Sequence, residues 1–495
     1  MWVGYGAKRK MCFRYILILT LITISSCTEP LRPDFKANQY GAQFLATVSP
    51  ESKGQWRIHY VFDSPHAALF FSRSSGNYRE ETWKPVTSGV TMERLDGFDA
   101  ILMDEPMTEV EFTFTPYTNT VPKDYTPFIP FSDGGLAVYT GQFELLPETN
   151  RASIAALHGD IDQWKGEQPM FAVRVESDQP MVHDGEVRKK EAVQVSRGDG
   201  TYIYLGDAAP VRGKDMTGII DPGLPEWLKR RVEPELGSIF DANRALWGEG
   251  LGQKATVLFA FRGFGHSGFS NKGGAVNSLL ALESSGDGLR YFRDDILIYF
   301  RWFFAHEIVH LFQNRNGVST ANRSDAWMTE GAANAMAISV LKKIGVADDE
   351  FALDKYGKAI NDCIGYLGDG PLIEAAQRGQ FDAFYTCGDL VAQMTDAALA
   401  NDDLFSFWNA LLGRGAEADL QQYSTADYFD VLRERGASGS VVEQLRSLVY
   451  EQQGDPKKTL LNAMKTTGLA PRFDDNGELK EINLPGNGTI HLVIR

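Results

Sequence analysis

The stretch RWFFAHEIVHLFQN, residues 301–314, decides how the rest of the chain is read. It lies inside a longer apolar run, RDDILIYFRWFFAHEIVHLFQN (293–314), which RNG at 315–317 brings to a stop. That pattern predicts one long buried helix. His306 and His310 stand four apart, so their imidazoles project from one face and can grip a single cation. Glu307 is turned by about 100° from His306. It cannot join them as a ligand, but it can reach a water held by the ion. Two histidines for zinc and a glutamate as general base are the H-E-x-x-H arrangement. A buried helix with two hydrogen-bonded histidines is the alternative at this point.

A catalytic zinc takes three protein ligands and leaves one position open. WMTEGAANAMA (327–337) offers Glu330, with nineteen residues between it and His310. Met328, Ala332, Ala335 and Met336 recur at roughly helical spacing, so a helix is expected from about Ser324 to Ile344. A carboxylate beside that apolar face needs a partner, and a metal is one. Asp325 is the rival ligand, although capping at the helix start accounts for it. Asn334, one turn after Glu330, is expected either to steady that carboxylate or to face solvent.

H-E-x-x-H followed by W-x-x-E-G resembles the gluzincin metallopeptidases. Within them the chain is most similar to the glycyl aminopeptidase family and, more distantly, to the aminopeptidase N family, over about residues 225–400. The resemblance implies an N-terminal all-β domain, a thermolysin-like catalytic domain and a helical C-terminal part. It also implies one Zn2+ per chain on His306, His310 and Glu330, a water activated by Glu307, and a peptide or protein substrate. FYTCGDLVAQ (384–393) is similar to the family's Tyr-x-Lys-Gly helix start. Tyr385 then takes the role of donating its hydroxyl to the tetrahedral oxyanion, with Cys387 in the place of the lysine. A packing role for Tyr385 is the alternative.

GGAVN resembles the family's Gly-Gly-x-Glu strand, whose glutamate binds the free amine of the substrate. Its residues here are Gly273, Gly274, Ala275, Val276 and Asn277. Val276 stands where the glutamate belongs, and valine cannot pair with an ammonium group. The choice between aminopeptidase and endopeptidase therefore stays open. The backbone of 273–282, read as one strand, can still take an extended peptide by strand addition. The same departure admits a second reading, a catalytically degenerate lipoprotein that serves as a peptide-binding or envelope scaffold. Such a scaffold has no use for Glu307.

The chain has 495 residues, enough for several domains, and a globular composition with 43% hydrophobic residues. Its net charge of −16 excludes nucleic acid as a natural partner. KRKMCFR (8–14) and the apolar YILILTLITISS (15–26) read as a secretory leader. ISSC at 24–27 resembles the lipobox of bacterial lipoproteins, which implies that Cys27 is lipidated and holds the protein to a membrane. Thr28 rather than Asp after it implies the outer membrane of the bacterial envelope, facing the periplasm. A plain cleaved leader is the alternative. Cys12 falls in the leader and Cys27 is the anchor. Cys363 and Cys387 remain as an even pair in an oxidising compartment and are expected to bond.

The chain divides on this reading into a leader (1–27), a polar tether (28–50), a β domain (51–222), a zinc-binding subdomain (223–345), a helical subdomain (346–470) and a strand segment (471–495). The β domain shows period two: Val110, Phe112 and Phe114 share one face, as do Phe171, Val173 and Val175. A sandwich-like domain follows, with Trp56 and Trp83 in its core. Residues 225–248 read as helix, 254–261 as a strand, and GTIHLVIR near the end as another. His266, on the Gly-rich RGFGHSGFS (262–270), faces either a cleft or solvent. His59, His66, His158 and His183 lack metal spacing. The substrate's sequence and the oligomeric state are not written in these motifs.

Overall fold

Alternating burial builds the first domain. Along Phe44–Pro50 (β1), Trp56–Phe71 (β2), Phe98–Phe114 (β3) and Phe171–His183 (β4), large apolar residues recur on one face. The computed structural model describes residues 37–491, apart from 53, 123, 199, 400–401, 419, 476–478 and 485–487. The leader and Cys27 therefore lie outside the described residues. Eleven of the described strands form one sheet, in which β1 lies antiparallel to β2 and parallel to β4. The sheet curls over its own core. Phe128 lies on the last strand of the path, yet its ring sits 5.5 Å from that of Trp56 on β2 and 5.8 Å from that of Phe114 on β3. Trp56 and Trp83 are both buried there.

Two boundaries move. Residues 44–50, read as tether, are β1 in the interior of the sheet, because Phe44, Leu45, Ala46 and Val48 are buried between two neighbouring strands. At the other end, Met216–Ile220 (β5) does not belong to the β domain. It pairs in parallel with Ala255–Phe261 (β6) in a second, five-stranded sheet, so the β domain ends near Leu205 rather than at 222.

Between these strands runs the helix Glu226–Trp247 (α1). The second sheet is completed by Ser270–Val276 (β7) and Leu279–Ser285 (β8). β5, β6 and β8 are mutually parallel neighbours, and β7 is an antiparallel edge strand. Residues 273–282, read as one strand, are thus two halves of a hairpin. Asn277 takes a left-handed φ of 51° and reverses the chain between Val276 and Leu279, a conformation that asparagine tolerates better than most residues. β6 is buried along its whole length. Leu258 and Ala260 pack on the β domain through Tyr202 and Tyr204. Phe259 faces the other way, with its ring 5.5 and 5.4 Å from those of Phe300 and Phe304. Each such fully buried ring contributes about 1.5–3 kcal/mol.

Those two phenylalanines belong to Asp294–Gln313 (α2), the helix of the opening stretch. Ala326–Lys343 (α3), Asp349–Asp369 (α4) and Asp382–Ala398 (α5) follow it. α3 and α5 meet backbone to backbone. A Cβ at Gly331 would overlap the carbonyl carbon of Gly388, and one at Gly388 would overlap the carbonyl of Trp327. Only glycine allows this approach, and it brings Tyr385 beside Glu330. A disulfide between Cys363 and Cys387 fastens α4 to α5. Four more helices between Leu404 and Thr466 complete the core. The expected terminal strand lies at Gly488–His491, as one member of a three-stranded antiparallel sheet with Ala470–Phe473 and Leu479–Leu484. No helix among the described residues is long and apolar enough to cross a membrane.

Candidate metal centre and active site

One face of α2 and the start of α3 bring three ligand atoms together. The Nε2 atoms of His306 and His310 are 3.1 Å apart. Glu330 Oε2 lies 3.3 Å from the first and 3.1 Å from the second. Among the described residues these three side chains form a group able to hold a metal. The amide neighbours fix which nitrogen faces the centre. Asn334 Nδ2 donates to the carbonyl of Tyr385 at 3.0 Å, so its Oδ1 is left to accept from His306 Nδ1 at 2.8 Å. Gln313 Nε2 donates to the carbonyl of Thr329 at 3.1 Å, so its Oε1 accepts from His310 Nδ1 at 2.8 Å. Each imidazole therefore carries its proton on Nδ1 and turns an Nε2 lone pair inward.

Two lone pairs and a carboxylate at such distances repel one another unless a cation sits among them. Without a metal, a proton takes part of that role. Burial pushes the His310 imidazole down, but its hydrogen bond with Glu330 and the charges of Glu330 and Glu307 outweigh this and hold it up at about 9. Burial raises the Glu330 carboxyl, while hydrogen bonds and charge from both imidazoles carry it well below the usual carboxylate range. Two imidazoles, one carboxylate and an open side are the ligand set of a catalytic zinc, and the arrangement fits one such ion.

Glu307 points away from the three ligands, as its place on α2 requires. Its Oε2 accepts from the backbone N–H of Ala275 at 2.8 Å. The edge strand β7 thus holds the carboxylate beside the centre. Even a methyl group at Gly274 would come within 3.4 Å of that oxygen. The Tyr385 ring stacks on His306 with centroids 5.9 Å apart, and Tyr385 remains 37% exposed. Burial, and then the charges of Glu330 and Glu307 together with a hydrogen bond to Glu330, push its hydroxyl well above the ordinary phenol value. It stays a neutral donor.

The remaining candidates sort clearly. Asp325 is buried and engaged elsewhere: its Oδ1 accepts from Thr425 Oγ1 at 2.6 Å and its Oδ2 from the Asn322 N–H at 3.1 Å. Asn334, expected to steady Glu330 or to face solvent, serves His306 instead. The turn of α3 that carries it aims at the neighbouring helix α2. Gly273, Gly274, Ala275 and Val276 lie on β7, and Asn277 forms the turn after it. Val276 packs against the apolar interface between the domains. His266 is exposed and its Nε2 lies 3.0 Å from Ser285 Oγ. Gln313 and the Ala275 N–H were missed. Gln313 follows His310 by three, the same-face spacing that already pairs the histidines, so that signal was present.

No protein-family profile matches the chain, and no curated protein matches it in sequence. Solved structures do match. An aminopeptidase N family protein from Idiomarina loihiensis superposes with a TM-score of 0.61 at 11% identity, over 88% of this chain and 81% of that one. An M1 zinc metallopeptidase from Deinococcus radiodurans gives 0.45 at 13%, over 83% and 93%. Native yeast LTA4 hydrolase gives 0.48 at 11%, over 86% and 71%. The chain therefore has the multidomain fold of the aminopeptidase N family protein, with an N-terminal β domain ahead of the mixed and helical parts.

Proposed function

We propose that this protein is a zinc-dependent peptidase. The observation that carries the reading is the convergence of His306 Nε2, His310 Nε2 and Glu330 Oε2, with both imidazoles held in the ligating tautomer. One zinc ion in this set supplies an acidified water and a Lewis acid for the peptide carbonyl. Glu307, fixed by the Ala275 N–H, takes the proton of the attacking water and returns it to the leaving amine. The Tyr385 hydroxyl donates to the oxyanion that develops on the former carbonyl oxygen. The free edge of β7 offers its backbone to an extended substrate. A scaffold of the same fold would not need Glu307 held at the centre, and that bond favours the enzyme.

The leader supports a further part of the proposal: a lipid on Cys27 and a place at the bacterial outer membrane, facing the periplasm. The Cys363–Cys387 disulfide suits such an oxidising compartment. The test of the activity is a peptide-library digest read by mass spectrometry, with and without a chelator. Glu307→Gln should keep its zinc and lose hydrolysis by at least about a hundredfold. Turnover retained by that variant, or unaffected by the chelator, refutes the mechanism. Products trimmed singly from the N-terminus assign an aminopeptidase, and internal cuts an endopeptidase.

A further inference from the structure

A cavity of about 180 Å³ lies among α2, α3, α4 and α5 and shares residues with the reaction centre. Asn334 and Tyr385 line it, the first bonded to His306 Nδ1 and the second stacked on the His306 ring. Trp302, one turn before His306 on α2, forms another wall, and Lys355 and Lys358 reach it from α4. The Lys355 ammonium stands 4.0 Å from the Trp302 ring centroid, and that ring stands 5.6 Å from the His306 ring, so the charge lies within about 10 Å of His306. It has no anionic partner. Among the described residues neither lysine forms an ion pair or a hydrogen bond to an oxygen. Asp389 is the one carboxyl in the lining. It is buried, its Oδ1 accepts from Gln393 Nε2 at 3.2 Å, and burial raises it to about 7. Asp354, Asp362 and Asp382, on the same two helices, are exposed and lie outside the lining. Burial pulls Lys355 below the ordinary lysine value and Lys358 pulls it further, while the charges of Asp354 and Asp389 do not make up the difference. Two ammonium groups thus share the cavity with one carboxyl.

We infer that this cavity seats a carboxylate of the substrate on Lys355 and Lys358, a few residues from the bond that is cut. The inference rests on the peptidase reading above and gives it a substrate class: peptides with an acidic side chain or a free C-terminus at that distance. An extended chain advances about 3.4 Å per residue, so the ammonium is reached within about three residues of the metal site. The face of Trp302 attracts the Lys355 charge but offers its N–H groups no oxygen. A carboxylate supplies that oxygen, and the bond it makes is charge-assisted. Ile338 and Ala359, also in the lining, take the methylenes that carry it. A glutamine or a terminal amide in the same place brings no opposing charge, and a lysine meets two like ones.

The test has two arms, both with the full chain loaded with zinc. In the first, peptides are paired as Glu against Gln at each position near the cut, and as free C-terminal acid against amide. Cleavage is read by mass spectrometry with both members of a pair in one tube. The acid is expected to be favoured by about tenfold in one set of pairs. Preference among the Glu–Gln pairs assigns the side chain, and preference among the terminal pairs assigns the C-terminus. It should fall in Lys355→Met and vanish when Lys358→Met is added. Each ratio is taken within one preparation, so a poorly folded variant cannot mimic the result. In the second arm, calorimetry measures binding of the same pairs to Glu307→Gln protein, with and without the two lysine changes. If the unaltered protein cuts no peptide, the peptidase reading fails, and this arm still decides the cavity: acid binding about tenfold tighter than its neutral pair, and only with the lysines present, supports it. Equal treatment of acid and neutral forms, or a preference that survives the loss of both lysines, overturns it.

Discussion

Asn334→Leu and Gln313→Leu should have the same effect on zinc affinity and different effects on turnover. Each removes the acceptor of one imidazole Nδ1–H, and both acceptors sit at 2.8 Å. A buried donor left without a partner costs about 1–3 kcal/mol. The imidazole can escape that cost by moving its proton to Nε2, which abolishes the inward lone pair. Either route weakens zinc by about ten- to a hundredfold, or roughly 1.4–2.7 kcal/mol. The two amides differ in what else they hold. Gln313 ties α2 to the Thr329 carbonyl, next to Glu330, so its second bond also serves the metal site. Asn334 holds the Tyr385 carbonyl and therefore sets the place of the proposed oxyanion donor. At saturating zinc, Gln313→Leu should recover nearly full kcat. Asn334→Leu should stay down by about tenfold or more, since a small misplacement of a reacting group is costly. Zinc affinity is read by competition with a fluorescent chelator, and kcat on one cleaved peptide over a zinc titration. Unchanged affinity in both variants refutes the tautomer argument. Full recovery of Asn334→Leu refutes the link to Tyr385.

Two further expectations concern protons. His310 in the metal-free protein holds its proton up to about pH 9, and zinc must displace it. Apparent zinc affinity should therefore rise with pH by about tenfold per unit below that value, with about one proton released at pH 7.5, as calorimetry in buffers of different ionisation heat will show. A pH-independent affinity contradicts the expectation. Asp389 is raised to about 7, chiefly by burial, against the opposing pull of Gln393 and Lys355. The unfolded chain ionises near pH 3.9, so as pH rises from about 4 to 7 the unfolded state loses its proton first and stability falls by roughly 4 kcal/mol. Asp389→Asn should then raise Tm more at pH 8 than at pH 5, and an equal change at both values removes the basis for this reading.

The fold was legible where order is local. Period-two burial marked the strands around Val110 and Val173, and the apolar run of 293–314 marked α2. It was not legible where partners are far apart in sequence. Phe44–Val48 looks like the end of a polar tether until its parallel pairing with Phe171–Val175 is known. Met216–Ile220 follows the β domain without a break in pattern, and only its pairing with Ala255–Phe259 assigns it to the second sheet. The hairpin at Asn277 escaped for another reason. Its two-residue turn contains no glycine, and alternation alone does not distinguish one strand from two joined tightly.

The site divides in the same way. A four-residue spacing on one helix places His306 beside His310 whatever the rest of the chain does. Glu330 needed a second helix, and its distance from His310 in sequence was informative only through a motif. Asn334 shows the limit: its position one turn after Glu330 is visible, but its targets are His306 on α2 and the Tyr385 carbonyl on α5, the second across the contact that Gly331 and Gly388 make close. What the three-dimensional arrangement adds is direction. Backbone carbonyls at Tyr385 and Thr329 orient the two amides, the amides orient the two imidazoles, and both Nε2 atoms then face one place before any ion arrives. An ordinary helix core would relieve that crowding by turning a ring or moving a proton. Here turning a ring or moving the Nδ1 proton breaks a bond to an amide that is itself held in place. A proton on His310 relieves part of the crowding in the metal-free protein, and a metal cation in its place is the partner that serves all three groups.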